Sequence, residues 1–419
     1  MATDHYDEAQ ESTLARVKTA YQASWKLSTI KGEKRSYGVG SMARAIEESL
    51  EEILEANTLD LETSREMAVS DIIIDWLRLT PERLHRTIRI LRRLEELPDP
   101  LQQLRNVPYQ IENFQTYCQP MPLGTIAFVY EAFPELAAIA AGLCLKTGNS
   151  LILRGSSEAS YSNGAIAKAL FSAIEEVDLP TGCLEILPAD RGTSISDLLE
   201  LDQYINLIIP YGRFSLVQQV TQLATMPVLQ SAMGNCYLYW SLEIEPEAVC
   251  KIILDSHTSE PDSVNAIEKV LIPSQKESST LLILFNSLQK AGFELRGDEE
   301  LGIRFPQQLK VSAKSEWGNA YLRQVIAFKT IKNLDEGISW MNRYSSGHAN
   351  CLVTKSYQES RQFASQVNSA LVYINSSPRF HRSPKGGNSV FLGVSNQRGY
   401  RRGFIGLETL TTLKQVTQG

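Results

Sequence analysis

The sequence predicts an α/β protein built on parallel sheets. Three segments carry this reading. Gly124–Tyr130 (GTIAFVY) is a short apolar, partly β-branched run after a proline, the pattern of a buried strand. Leu136–Lys146 is almost wholly apolar and follows Pro134, which opens a helix where its missing N–H is harmless, so a buried helix is expected there. Gly148–Asn149 breaks that helix, and Ser150–Arg154 (SLILR) reads as a second strand. Two strands joined by a helical crossover form the unit that a parallel sheet requires.

The remaining elements follow in order. Residues 8–105 are mostly helical in pattern: Ala43–Ala56, Thr63–Leu79 and Pro81–Glu96 alternate apolar and charged faces at helical spacing. Val107–Gln119 reads as extended. Residues 121–240 alternate strands (Leu184–Leu187, Leu207–Ile209, Val228–Leu229) with helices (Tyr161–Val177, Ser194–Leu201). From Ser241 a second α/β unit begins, with strands expected at Val270–Ile272, Gln324–Thr330, Leu352–Thr354 and Leu371–Ile374. Leu407–Gln415 has a strand pattern at the C-terminal end.

At 419 residues and 43% hydrophobic composition, the chain can build more than one core. The formal net charge of −7 gives no global case for nucleic-acid binding. No run of about 18 apolar residues occurs, so no membrane span is expected. The polar, acidic start (MATDHYDEAQEST) is not a targeting segment, and a cytoplasmic protein is expected. Six widely spaced cysteines with no CxxC pair read as reduced, buried thiols. None of the five histidines is paired at ligand spacing, so no metal site is expected.

The quoted strands and helix resemble the gamma-glutamyl phosphate reductase (glutamate-5-semialdehyde dehydrogenase) family of the aldehyde dehydrogenase superfamily. That family typically reads PLGVIGxIYEARPN here, then a helix ending LCLKSGN and a strand ending LRG. Further islands match in the same order: Ile53–Leu61, Leu97–Asp99, Ile209–Gly212, Asn265–Ala266 with Glu268, Tyr344–His348, Tyr373–Asn375, Arg379–Phe380 and Gly403–Thr412. The resemblance implies a Rossmann-type cofactor domain over 1–107 and 121–240, and a catalytic-type domain over 241–385. It also implies an oligomerisation arm over 108–120 and 405–419, hence a homo-oligomer. NADPH is the cofactor it implies. Lys146, Gly148, Asn149, Arg154, Gly155, Ser156 and Gly212 are the candidate cofactor residues, with Arg154 the cation suited to a 2′-phosphate.

The departures from the family pattern bear on chemistry. The family's nucleophilic cysteine lies in a segment that here reads His257–Glu268 (HTSEPDSVNAIE), and the cysteine position, next to Asn265, is Val264. An isopropyl group can neither attack an acyl phosphate nor hold a thiohemiacetal. The family's arginine in YEARP is Phe133, and the arginine of its IPRGG turn is Tyr211. The second glycine of that turn, expected near the nicotinamide phosphates, is Arg213. In the nucleophile segment the family's arginine is Glu260 and its lysine is His257. In the tail, Arg382 stands at an aspartate position. These changes deplete the cations that an anionic acyl phosphate needs.

Three functional expectations follow. The first is a degenerate paralogue with a binding, regulatory or assembly role and an unidentified protein partner. The second is an active reductase of proline biosynthesis. The third is an enzyme that reuses the old cleft without a thiol, drawing on Glu260, Asp262 and His257. Cys236 occupies a position where the family also carries a cysteine, and reads as a core thiol. His348 reads as a structural histidine. Gly38–Ala43 fits GxGxxA spacing, but no buried strand precedes it, so a loop and helix start are expected. Between Ser360 and Leu407 there are seven Lys/Arg and no Asp or Glu, which reads as a solvated face.

Overall fold

The computed structural model describes residues 2–106, 114–189, 195–258, 263–397, 399 and 401–419, with side chains from residue 12 onward except at 105 and 106. Two compact units emerge. One comprises residues 1–231, 382–393 and 404–419, and the other 232–381 and 394–403.

The first unit begins with five helices, α1 (Ala2–Thr29), α2 (Gly32–Glu48), α3 (Leu50–Glu66), α4 (Asp71–Leu77) and α5 (Pro81–Glu96). In α5, Pro81 takes the first turn and the Thr80 side chain caps it by accepting from the Arg83 N–H, a contact that stabilises a helix by about 1 kcal/mol. Next come β1 (Arg105–Asn106), β2 (Gln115–Pro122), β3 (Thr125–Tyr130), α6 (Glu135–Lys146), β4 (Ser150–Arg154), α7 (Ser160–Glu176), β5 (Leu184–Ile186), α8 (Ile195–Leu199), β6 (Leu207–Tyr211) and α9 (Phe214–Leu223). Four of these strands form a parallel sheet in the order β5-β4-β3-β6. Gly124–Tyr130 and Ser150–Arg154 are therefore neighbours, as their crossover predicts. Every residue of β3, β4 and α6 is buried, which explains why these segments read as continuous apolar runs rather than alternating ones.

The second unit holds β7 (Cys236–Trp240), α10 (Pro246–Ser256), β8 (Ile267–Pro273), α11 (Ser278–Lys290), β9 (Glu294–Gly297), α12 (Glu299–Arg304), β10 (Lys310–Val311), β11 (Val325–Ile331), α13 (Leu334–Tyr344), β12 (Ala349–Val353), α14 (Tyr357–Gln366) and β13 (Leu371–Ile374). Its seven-stranded sheet runs β10-β9-β11-β8-β7-β12-β13. Along β7, Leu238 and Trp240 enter one core with Val249, Leu284 and Phe328, while Tyr237 and Tyr239 enter another with Ile338, Met341 and Phe363. This alternation is the two-residue period of a strand covered on both faces. The chain closes with β14 (Phe391–Ser395), β15 (Gly403–Gly406) and β16 (Thr411–Gln418). The last pairs antiparallel with β2 over eight residues.

Several boundaries move. Residues 232–240 belong to the second unit, because β7 bonds to β8 on one side and β12 on the other. Gly38–Ala43 lies inside α2, not in a loop, and is buried. Gly38 and Gly40 are small there because a Cβ would strike Leu145 and Glu95, respectively. The helix expected over Ala43–Ala56 divides at Ser49, and that over Thr63–Leu79 becomes the end of α3 and then α4. Val228 makes only an isolated bridge to Ile208. Of the extended Val107–Gln119, residues 107–113 lie outside the described residues.

Candidate active site

The candidate site residues are distributed over both units. In the second unit, Val264 is fully buried. Its carbonyl accepts two hydrogen bonds, from the Gly234 N–H at 2.9 Å and from His348 Nε2 at 2.8 Å. His348 in turn takes a bond at Nδ1 from the Ser346 hydroxyl at 2.8 Å. Both ring nitrogens are thus committed, with the proton on Nε2. Burial is the main force holding the imidazole neutral, its pKa lowered to about 4. Asn265 Nδ2 donates to the Pro378 carbonyl at 2.8 Å and is also buried. The backbone that would aim a nucleophile is therefore firmly framed, but its side chain is a hydrocarbon.

A thiol does lie nearby. Cys236 lies 3.3 Å from His348 Nε2, yet it is fully enclosed, and burial raises its pKa well above the ordinary thiol range. All six cysteines are buried and unbridged. His257 donates from Nε2 to the Ile267 carbonyl at 2.9 Å and sets its ring edge-on to Phe293. It is committed to local structure. Glu260 and Asp262 lie outside the described residues.

In the first unit, the substituted family positions meet one another. Phe133 is buried and stacks on Trp76 with centroids 4.7 Å apart. It also meets Tyr211 edge-on at 5.7 Å. The Tyr211 hydroxyl accepts from Arg382 Nη2 at 3.0 Å, and the Arg382 guanidinium sits 5.8 Å from the Tyr211 ring centre. Gly393 completes the packing: a Cβ there would lie 2.8 Å from the Tyr211 ring. Ala132 and Phe133 both have positive φ, at 53° and 43°. Such backbone costs about 1–3 kcal/mol per residue and persists only where surroundings fix it.

The candidate cofactor residues divide between the two ends of β4. Lys146, Gly148 and Asn149 precede the strand. Lys146 is buried and donates to Ser36 Oγ at 2.6 Å and the Glu95 carbonyl at 3.0 Å. Asn149 bonds the Gly124 N–H and the Leu410 carbonyl, and Gly148 turns the chain with φ of 76°. These three hold the fold at the amino end of the sheet, away from where open α/β sheets bind ligands. Gly155 and Ser156 lie at the carboxyl end and line a cavity of about 370 Å³. Tyr130, Asn163, Gly164 and Phe171 share that lining. Gly155 is required by close approach, since a Cβ would fall 2.2 Å from Asn163 Nδ2. Arg154 does not line the cavity: it is buried and donates to the Gly155 carbonyl. The cation at the wall is instead Arg16 of α1, which bonds the Ile186 carbonyl at 3.2 Å. Sequence reading missed Arg16 because nothing local links an N-terminal helix to a strand end far along the chain.

Gly212, with φ of 151°, follows β6, and Arg213 beside it forms a fork-to-fork pair with Glu131. The Glu131 carboxylate also accepts the Arg213 N–H at 2.9 Å. The described cations of the basic tail take different partners. Arg382 packs on Tyr211, Arg402 bonds Asn368 and the Gly347 carbonyl, and Arg379 lies 3.4 Å from Asp255. Arg398 lies outside the described residues. Among the described residues no group of three or more His, Cys, Asp or Glu is placed to hold a metal, and no helix is long and apolar enough to cross a membrane.

The sequence profile of the aldehyde dehydrogenase family matches residues 3–234 and 324–412. The chain belongs to that family. Within it, the resemblance to the gamma-glutamyl phosphate reductases holds over the whole length. "Gamma-glutamyl phosphate reductase 2" of Synechocystis sp. is 52% identical over 97% of each chain. The gamma-glutamyl phosphate reductase of Gloeobacter violaceus is 34% identical over 98% of this chain and 97% of its own. The crystal structure of the Thermotoga maritima gamma-glutamyl phosphate reductase superposes with a TM-score of 0.88 at 31% identity, covering 97% of this chain and 98% of that one. Aldehyde dehydrogenases typically use NAD or NADP. In this member Gly155 and Ser156 line the carboxyl-end cavity, and the Arg213–Glu131 pair stands at the turn after β6.

Proposed function

We propose that this chain is a gamma-glutamyl phosphate reductase-like protein that has lost catalysis and serves a binding, regulatory or assembly role. One observation carries the reading: Val264 stands where the family's thiolate attacks, and Cys236, the nearby thiol, is enclosed and strongly disfavoured as a thiolate. Without a nucleophile the covalent intermediate cannot form, a loss that typically costs many powers of ten in rate. The cation losses point the same way, because Phe133 and Tyr211 are packed against each other and offer an acyl phosphate no charge.

The second reading is an active NADPH-dependent glutamate-5-semialdehyde dehydrogenase of proline biosynthesis. It is favoured by the 52% identity to a relative that carries the reductase name. An assay of the purified chain, free of host enzyme, with glutamate semialdehyde and NADP separates the two. No turnover is expected, and Val264→Cys alone is expected to rescue little. Robust turnover by the wild-type chain would promote the second reading. A cytoplasmic homo-oligomer is part of the proposal. It is supported by the β2–β16 pair, whose long strand β16 ends the sheet order β1-β2-β16 and leaves an open edge. Light scattering that returns a 46.8 kDa particle at micromolar concentration would count against it.

A further inference from the structure

Three strand ends of the first sheet are laced together. The Ala132 N–H donates to Ser156 Oγ at 3.2 Å, tying the end of β3 to the end of β4. The Glu131 N–H donates to the Tyr211 carbonyl at 2.9 Å, tying β3 to β6. Arg213 then grips the Glu131 carboxylate through its backbone N–H, Nε and Nη2. In the order β5-β4-β3-β6 the chain proceeds outward from β3 through β4 to β5, then returns to the other side of β3. The strand order therefore reverses between β3 and β6, the place where an open α/β sheet leaves a ligand crevice. The Arg213–Glu131 pair occupies that place. The Glu131 hydrogen bond is the main force raising the Arg213 pKa, burial opposes it, and the charges of Glu131 and of Glu158, just beyond Ser156, add to the rise. The open volume lies instead over β4, β5 and α7. At about 370 Å³ it is near the lower bound of small-molecule sites, with an apolar wall (Phe171, Leu187), convergent polar groups (Ser156, Asn163) and one cation, Arg16.

We infer that the Arg213–Glu131 pair is a bar that excludes the diphosphate–nicotinamide half of a dinucleotide, leaving the cavity to a ligand no larger than a mononucleotide. The inference rests on the binding role proposed above and names the ligand class of that role. The second half of a dinucleotide would have to displace the carboxylate from Arg213 or pass over it, whereas a mononucleotide stays within the cavity. Glycine at 213 would remove the side chain that holds Glu131 across the strand ends.

Calorimetry on the full chain tests this, with AMP and NADPH as the probes. The wild type is expected to bind AMP, and to bind NADPH no more tightly. Arg213→Gly is expected to raise NADPH affinity about tenfold while AMP affinity stays within about twofold. Glu131→Gln, which keeps the shape and weakens the pair, is the second variant and should move NADPH affinity in the same direction. Arg16→Ala should weaken AMP, with a circular-dichroism spectrum that shows the fold retained, although the bond to the Ile186 carbonyl and the pairing with Glu185 are lost. Wild-type affinity for NADPH well above that for AMP, no AMP binding at all, or NADPH affinity unmoved in both pair variants would each overturn the inference. These outcomes are independent of the turnover assay: an active wild-type chain refutes the loss of catalysis whatever the titrations give, and a silent cavity refutes only the nucleotide.

Discussion

The loop at Val264 and the cluster at Phe133 depart from the family pattern in opposite ways. At Val264, where the resemblance implies a cysteine, the backbone is firmly framed and the side chain is a hydrocarbon. The carbonyl takes two hydrogen bonds, from Gly234 and His348, and His348 is braced by Ser346. At Phe133, where the resemblance implies an arginine, the surroundings themselves are a packed aromatic cluster. Phe133, Tyr211, Trp76 and Arg382 fill one another's space, and Gly393 stays small to admit the Tyr211 ring. The first kind of change can be reversed in structure by a single substitution. The second cannot, because each side chain is the packing partner of the next, and contacts of this kind couple energetically.

The sharpest way to break this contrast is Phe133→Arg, which restores the family residue. A guanidinium forced against Trp76 and Tyr211 leaves a buried charge without a carboxylate, so destabilisation of roughly 3–5 kcal/mol is expected by urea denaturation. A near-neutral result would mean the cluster is not a packed unit.

The pH dependence of stability probes the Val264 frame. His348 has its folded pKa lowered to about 4, against an ordinary 6.5. Below pH 6.5 the unfolded chain takes up a proton that the folded chain refuses. This favours unfolding progressively as pH falls from 6.5 to 4, by about 3 kcal/mol in all. His348→Gln removes the titrating group, so its stability should fall less steeply over that window than the wild type's. Parallel profiles would show that His348 is not the group responsible.

Tyr211→Phe keeps the ring and deletes the hydroxyl that meets Arg382. A loss of about 1 kcal/mol is expected, and it should shrink when Arg382 is already replaced by methionine. Additive losses in that double-mutant cycle would separate Arg382 from the cluster. The smallest effect belongs to Val264→Cys. The two side chains are similar in volume, so stability should stay within about 1 kcal/mol of wild type. Because position 264 is fully buried, the new thiol should react slowly with Ellman's reagent in the native state and rapidly in urea. Fast native labelling would show that the loop opens in solution.

The sequence by itself determined the elements whose signal is local. β3, α6 and β4 are continuous apolar runs punctuated by Pro134 and Gly148, and burial on both faces writes that pattern directly into composition. Val264 drew notice only through the family resemblance, whose motif includes its neighbours Asn265, Ala266 and Glu268. Tertiary structure alone decided which candidates share a site. Lys146 and Asn149 stand only a few residues from Arg154 in the chain, yet a strand of about 3.3 Å per residue carries them to opposite ends of the sheet. Arg16, Arg213 and Arg382 look alike as letters, and their partners come from distant segments: the Ile186 carbonyl, the Glu131 carboxylate and the Tyr211 hydroxyl. A charge becomes a wall, a bar or a packing partner only when the fold brings that partner to it, and no local pattern encodes a contact between residues so far apart in sequence.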